Sequence, residues 1–404
     1  MSNIKILYIG SAVPDTKENL AIKGMNLAGH YAELGIVEGL ADAGACIEVL
    51  SFRPYTYFPR EKVFFRSGGR QNLCKNVEFH MAPLVNLYPV RNIIRYLYYT
   101  IYLLCWTLRN LRAKRIVIVY NWLFPNYIFL RLVTYLLDAK LCPVVMDWLP
   151  MECNKLGTMQ RLTYPMWYRK LSVKAMNLSD AMFPITENII YDNFHRMPYL
   201  LIDGGVTEII TSKLFPIKEK TDNNHFIILF AGSISVINNI KVLLEYMEEN
   251  KDEDLELWFA GKGDALDEVL AASAKDTRIK YLGMLSADDL FMRYEQADIV
   301  TSLRDTNDPA LRYYFPSKTL ELLCIGKPFI TTNSAHIKRE YGSYCQVLDD
   351  CTAKAFGAAV EKIRNLTPSK RAKYGERARD YMLSEHTWKA QGGRMLSFLR
   401  KEFD

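Results

Sequence analysis

Along the second half of the chain, short apolar runs alternate with amphipathic stretches at regular spacing. Phe226–Ala231, Leu255–Ala260, Ile279–Leu282, Asp298–Leu303, Pro328–Thr332 and Cys345–Leu348 read as buried strands. Between them, Asn239–Glu249, Ala265–Ala274, Ala287–Gln296, Ser317–Ile325 and Ala353–Leu366 read as helices. Unbroken apolar strands separated by helices predict βαβ units and a parallel sheet covered on both faces. Local chemistry marks the boundaries. Ser286-Ala-Asp-Asp289 reads as a capping box, and Gly261 and Gly263 stand where a strand turns into the next helix. The first half opens in the same way, with strands at Ile4–Ile9 and Cys46–Phe52 around a helix at His30–Ala43. Arg115–Tyr120 and Pro143–Asp147 follow as strands, then helices around Met159–Asn177 and Glu187–Arg196. The polar stretch Gly204–Asn224, with Pro216, reads as a linker. At 404 residues the chain suits two domains better than one. The pattern therefore predicts two doubly wound α/β domains in series, with the active site in the cleft between them at the carboxyl ends of the strands.

Composition narrows the function. Half of the residues are hydrophobic and 24% are charged, as in a folded, core-forming protein. A net charge of +6 falls far short of the clustered excess of a nucleic-acid binder. The amino terminus lacks the features of a signal peptide, and the eight cysteines are scattered without a C-x-x-C pair. Reduced thiols and a cytoplasmic location are expected. One segment stands apart: between Arg53 and Arg115, many Lys and Arg face only Glu61 and Glu78. Its apolar run, Tyr96 to Leu108, is shorter than the ~20 residues needed to span a bilayer. Residues 91–115 then form either a peripheral contact with the anionic inner face of a membrane or a buried helix behind a solvated basic loop.

Four conventional motif searches fail: the phosphate loop, a G-x-G-x-x-G after the first strand, the G-x-S-x-G elbow and H-E-x-x-H. The six histidines show no metal-ligand spacing, and Asp252-Glu-Asp254 reads as a solvated turn, so no metal is expected. The informative stretch runs from Arg304 to Pro328. Ser317 after Pro316 reads as a helix N-cap, Gly326 as the C′ residue and Pro328 as the stop. A helix starting after a strand and a polar loop offers free backbone N–H groups to an anion such as a diphosphate. Lys318 in the first turn opposes the helix dipole, which a bound phosphate would offset. Glu321, one turn in, suits a vicinal diol such as a ribose. A plain capped helix with a surface Lys–Glu pair is the other reading.

Here the sequence resembles a known family. Pro316-Ser-Lys-x-x-Glu-x-x-x-x-Gly-Lys-Pro328 resembles the donor-binding segment of family 4 glycosyltransferases, in particular their Pro-Ser-Lys subgroup. Phe230-Ala-Gly-Ser233 with Asn238-Asn239, Leu257-Trp-Phe-Ala-Gly-Lys-Gly263, and Tyr281-Leu-Gly283 with Ala297-Asp298 resemble segments of their nucleotide-binding domain. Gly29-His30, Leu40-Ala-Asp-Ala-Gly44, Ser179–Thr186, Gly204-Gly-Val206 and Thr387-Trp388 resemble others, so most of the chain is covered. The resemblance implies a GT-B fold. Residues 1–205 would form an acceptor-binding Rossmann-like domain, 206–385 a nucleotide-sugar-binding one, and 386–404 a helix crossing back to the first. It implies metal-free transfer of a sugar, with retention, from a UDP- or GDP-linked donor to a glycan or lipid-linked acceptor, as in surface polysaccharide biosynthesis. No cofactor beyond the donor is implied.

By the same resemblance Glu321 holds the donor ribose, while Gly232, Ser233, Gly261, Gly263 and Ser317 belong to the donor site. Two departures stand out. Tyr313 occupies the position eight residues before Glu321 where the family has a carboxylate, so contacts with the sugar hydroxyls pass to Asn307, Asp308 or Tyr313. Ser233 and Asn238 or Asn239 replace a customary Arg and Lys. Charge developing on the diphosphate then falls to Lys318, ahead of Arg304, Arg312 and Lys262. By position at the strand ends of the first domain, Asp147 or Glu152 would orient the acceptor hydroxyl, or Asp147 is a turn carboxylate at a strand end. His30 would contact donor or acceptor, and Asn121-Trp122 with Trp148 would offer an aromatic sugar platform or pack in the core. The alternatives are a nucleotide-sugar 2-epimerase of the same fold and a non-catalytic scaffold that binds a partner.

Overall fold

Strands without a polar face must be covered on both sides, and this dictates the layering of both halves. The computed structural model describes residues 4–73, 77–121, 126–148, 166–219 and 225–404. The chain divides into two units: Met1–Gly205 with Trp388–Asp404, and Val206–Thr387.

In the first unit the strands are β1 (Ile4–Gly10), β2 (Cys46–Ser51), β3 (Phe65–Arg66), β4 (Gly69–Leu73), β5 (Val77–Met81), β6 (Leu84–Val85), β7 (Lys114–Tyr120), β8 (Lys140–Val145) and β9 (Phe183–Pro184). Seven of them form one sheet in the order β4-β5-β2-β1-β7-β8-β9, parallel except for the edge pair β4–β5, while β3 and β6 pair separately. The core beneath it includes Ile6, Tyr8, Ile36, Val37, Ile118 and Val144. The helix Leu27–Asp42 begins three residues before the expected His30 because the Asn26 side chain accepts a bond from the Gly29 N–H and caps it. The expected strand Pro143–Asp147 is instead Lys140–Val145, so Asp147 stands beyond its carboxyl end. Of the helix expected around Met159–Asn177, Met166–Met176 is seen and 159–165 lie outside the described residues. The last helix, Trp388–Phe403, packs along Leu27–Asp42. Glycines let the two backbones meet: a Cβ at Gly39 would stand 2.0 Å from the Trp388 carbonyl oxygen.

The second unit holds β10 (Phe226–Ser233), β11 (Leu255–Lys262), β12 (Ile279–Tyr281), β13 (Ile299–Ser302), β14 (Phe329–Thr332) and β15 (Gln346–Leu348). They form an all-parallel sheet in the order β12-β11-β10-β13-β14-β15. Numbered within the unit, that is 3-2-1-4-5-6, and the order reverses between β10 and β13. The helix Lys318–Ile325 follows β13 and ends at Gly326, whose φ of 75° is the left-handed C′ conformation. A helix that sequence patterning did not single out, Pro368–Glu385, carries mostly polar residues. Its Arg379 donates to the carbonyls of Phe215, Cys324 and Ile325, and so satisfies the end of the Lys318–Ile325 helix.

Candidate functional site

The reversal between β10 and β13 leaves a gap at the carboxyl edge of the second sheet, which is where such sheets bind ligands. Three segments converge on it. The end of β10 runs beside the end of β11, with Gly232 opposite Gly261 and Ser233 opposite Lys262. The approach is backbone to backbone: a Cβ at Gly261, whose φ is 133°, would lie 1.8 Å from the Gly232 carbonyl oxygen. Likewise a Cβ at Gly263 would stand 2.1 Å from the Ile234 carbonyl oxygen. The Tyr281 hydroxyl donates to the Gly261 carbonyl at 2.9 Å, and Asn238 Nδ2 donates to the Ser233 carbonyl at 2.5 Å. The Val236 N–H donates to Asp264 Oδ1 at 3.1 Å, joining the two loops.

The third segment is the start of the Lys318–Ile325 helix. Its Lys318 Nζ donates to the carbonyl of Ala231, next to Gly232. The expectation for Ser317 needs correction. Its φ of −54° and ψ of −30° are helical, and its side chain makes no capping bond. The first turn is closed instead by the Thr319 N–H donating to the Pro316 carbonyl at 2.9 Å, which places Ser317 inside the turn with its side chain exposed. The side chain of Glu321, half-buried one turn on, makes no hydrogen bond or ion pair among the described residues. Lys318, Ser317, Gly232, Ser233, Gly261 and Gly263 thus gather at one sheet edge, with Glu321 one helical turn further on.

The loop after β13 is tied to the segment after β15, the Cys351 N–H donating to the Thr306 hydroxyl at 3.3 Å. Asp308 accepts from the Ala310 N–H and caps the 3-10 turn Pro309–Tyr313. Asn307 lines an open hollow with Thr306, Cys351 and Lys354, on the β15 side. The Arg312 guanidinium lies 5.3 Å from the centre of the Tyr313 ring. Arg304 reaches the Tyr314 hydroxyl at 3.2 Å, and Lys262 is exposed at the end of β11.

In the first unit the order reverses between β1 and β7. After β7, Asn121 adopts a φ of 45° and turns its side chain onto the end of β8. Its Oδ1 accepts from the N–H groups of Met146 (2.8 Å) and Asp147 (3.2 Å), and its Nδ2 donates to Asp147 Oδ2 at 2.9 Å. Crowding by protein lifts the Asp147 carboxyl above its ordinary range, and the Asn121 bond works against that shift. His30 is 3% exposed, and neither ring nitrogen has a hydrogen-bond partner among the described residues. Burial lowers its pKa, with Asp15 pulling the other way. Trp148 packs edge-on against Phe194 at 5.6 Å. Trp122 and Glu152 lie outside the described residues.

One residue that the sequence reading missed belongs to this edge. Glu33, one turn beyond His30, is buried where a Cβ on Gly10 would strike it. Its Oε2 accepts from the N–H groups of Ser11 (2.8 Å) and Ala12 (3.2 Å) and from the Tyr8 hydroxyl (3.0 Å), and its Oε1 accepts from the Ser11 hydroxyl. Burial nevertheless lifts its carboxyl to about 7. The available signal was a carboxylate in register with the apolar stripe Ile36, Val37 and Leu40. Among the described residues, no three His, Cys, Asp or Glu side chains gather as metal ligands.

Residues 225–365 match the model of the family described as Glycosyl transferases group 1, about a third of the chain. Comparison with curated protein sequences gives no match. Among solved structures, the chain is similar to sucrose-phosphate synthase from Thermosynechococcus elongatus, at 12% identity and a TM-score of 0.63, with 99% of each chain covered. It is also similar to HepE of Anabaena solved with UDP (11%, TM-score 0.62, covering 99% of this chain and 100% of that one). The lipopolysaccharide outer core galactosyltransferase WaaB, in apo form, matches at 11% and a TM-score of 0.65, with 99% and 100% covered. The fold shared with them is GT-B, built from two α/β units.

Proposed function

We propose that the protein is a glycosyltransferase that takes a sugar from a nucleotide-sugar donor held by the Val206–Thr387 unit. The observation that carries this reading is the meeting of Lys318, at a helix start without a side-chain cap, with the Gly232–Gly261 backbone contact at the switch point, Glu321 standing one turn on in the same helix. The family match to residues 225–365 supports it. In this reading the close-packed glycines leave room for the nucleotide, and Glu321 accepts hydrogen bonds from the ribose diol. The exposed first turn receives the diphosphate. Lys318, now bonded to a neutral carbonyl, gains a charged acceptor and neutralises the leaving group as the glycosidic bond to the nucleotide breaks. HepE of Anabaena was solved with UDP and with UDP-glucose, which favours a UDP-linked donor here.

Transfer with retention and without a metal, to a glycan or lipid-linked acceptor, completes the reading. Asp147 and His30 act on the acceptor side. Asp147 carries the better case, since Asn121 fixes its orientation and crowding raises its affinity for a proton.

The test is thermal-shift screening of the protein with UDP-, GDP-, dTDP- and CMP-linked sugars. One donor should raise the melting temperature selectively, a ligand at about 100 times its Kd adding about 2.7 kcal/mol. Glu321→Ala should weaken that donor about 10- to 100-fold. Lys318→Ala should lower turnover by at least about 100-fold while the protein stays folded. No shift with any nucleotide sugar would sink the proposal.

A further inference from the structure

The first unit carries a second apolar surface that its own core does not use. The helix Val90–Arg109 turns Tyr99, Leu103 and Trp106 into the protein. On its opposite side Val90, Ile93, Leu97, Ile101, Leu104 and Leu108 recur three or four residues apart, each between 40% and 59% exposed. A helix that is apolar on both sides is expected inside a protein or against lipid, not in water.

Its neighbours continue the surface. The helix Asn126–Leu136 packs beside it and in turn touches Met166–Met176. The first of these buries Tyr127, Leu130 and Thr134 but exposes Ile128, Phe129, Leu132, Tyr135 and Leu136, again at helical spacing. The second exposes Met166, Trp167 and Leu171, interleaved with Lys170 and Lys174. At the start of Val90–Arg109, exposed Phe64, Phe65 and Tyr88 extend the patch beside Lys62 and Arg66. Contiguous apolar exposure on this scale marks an interaction site.

The charge pattern selects the partner. The three helices contain no Asp or Glu, and their charged residues are all Arg or Lys. Arg109 and Arg112 are exposed at one end, Lys170 and Lys174 on the outermost helix. A second copy applied to the same face would set like charges together within an apolar contact, which is costly. An anionic lipid surface accepts the apolar stripes and rewards the cations. No helix among the described residues is long and apolar enough to cross a membrane, so the surface would lie along the bilayer. We propose that the Val90–Arg109, Asn126–Leu136 and Met166–Met176 helices dock the first unit on an anionic phospholipid bilayer. This widens the expected contact around residues 91–115 to three packed helices, and it stands independently of the sugar chemistry.

The experiment is flotation of the full chain with vesicles of phosphatidylcholine, with and without phosphatidylglycerol. Binding should require phosphatidylglycerol and weaken with added salt. Leu97→Ser with Ile101→Ser should lower vesicle affinity about tenfold or more. So should Leu132→Ser with Tyr135→Ser, a separate helix in case the first pair perturbs the fold. Neither pair should change the thermal shift produced by a nucleotide sugar, so the two proposals fail separately. Three outcomes would overturn docking: absence of binding to either vesicle, binding untouched by both pairs, or a dimer in solution that the same substitutions dissociate.

Discussion

Glu33 shows what burial does to a single group. Its carboxyl is lifted from an ordinary 4.5 to about 7, since burial outweighs the bonds from Ser11, Tyr8 and Ala12. Between those values the folded chain keeps a proton that the unfolded chain has released. The stability from this group is therefore complete below about pH 4.5 and is lost as the pH rises through about 7. Glu33→Gln imitates the protonated acid, so its urea midpoint should fall less than that of the wild type between about pH 5 and about pH 8. Parallel curves would show that Glu33 does not titrate in this window. The sequence could suggest Lys318 and Glu321 because helix starts carry local signals. Glu33 depends on N–H groups of a strand end more than twenty residues away, and no local pattern reports them. Ser317 differs for a local reason: the adjacent Pro316 carbonyl, not the Ser317 side chain, closes the turn.

At the scale of elements, close backbone approach does the positioning. The Trp388–Phe403 helix meets Leu27–Asp42 through Gly39 and Gly392, and a Cβ at Gly392 would lie 2.0 Å from the Gly39 carbonyl carbon. Gly392→Val must push the helices apart and should cost at least about 2 kcal/mol in denaturant unfolding. An unchanged midpoint would show that the terminal helix docks some other way. Strands and helices of the second half were legible nearly to the residue, as with Ala287–Gln296, because apolar periodicity is a local property. The Pro368–Glu385 helix was not, since its contribution is Arg379 reaching carbonyls of another element.

Across the whole molecule, each unit places its candidate groups where its own strand order reverses. A bound nucleotide sugar should slow amide exchange at 232–235, 261–264 and 316–321, and much less on the exposed faces of Val90–Arg109 and Asn126–Leu136. Protection spread evenly over both units would argue against a donor site on the second sheet. The sequence alone determined the α/β class, most of the elements and the helix beginning Pro316-Ser-Lys318, because burial period and chain punctuation are written locally. Tertiary structure decided that Gly232 meets Gly261, that Lys318 reaches the Ala231 carbonyl, and that Glu33 is sealed beneath Gly10. It also decided that three helices share one apolar, basic face. Those relations depend on which strands become neighbours, a property of the assembled sheet that no stretch of chain carries by itself.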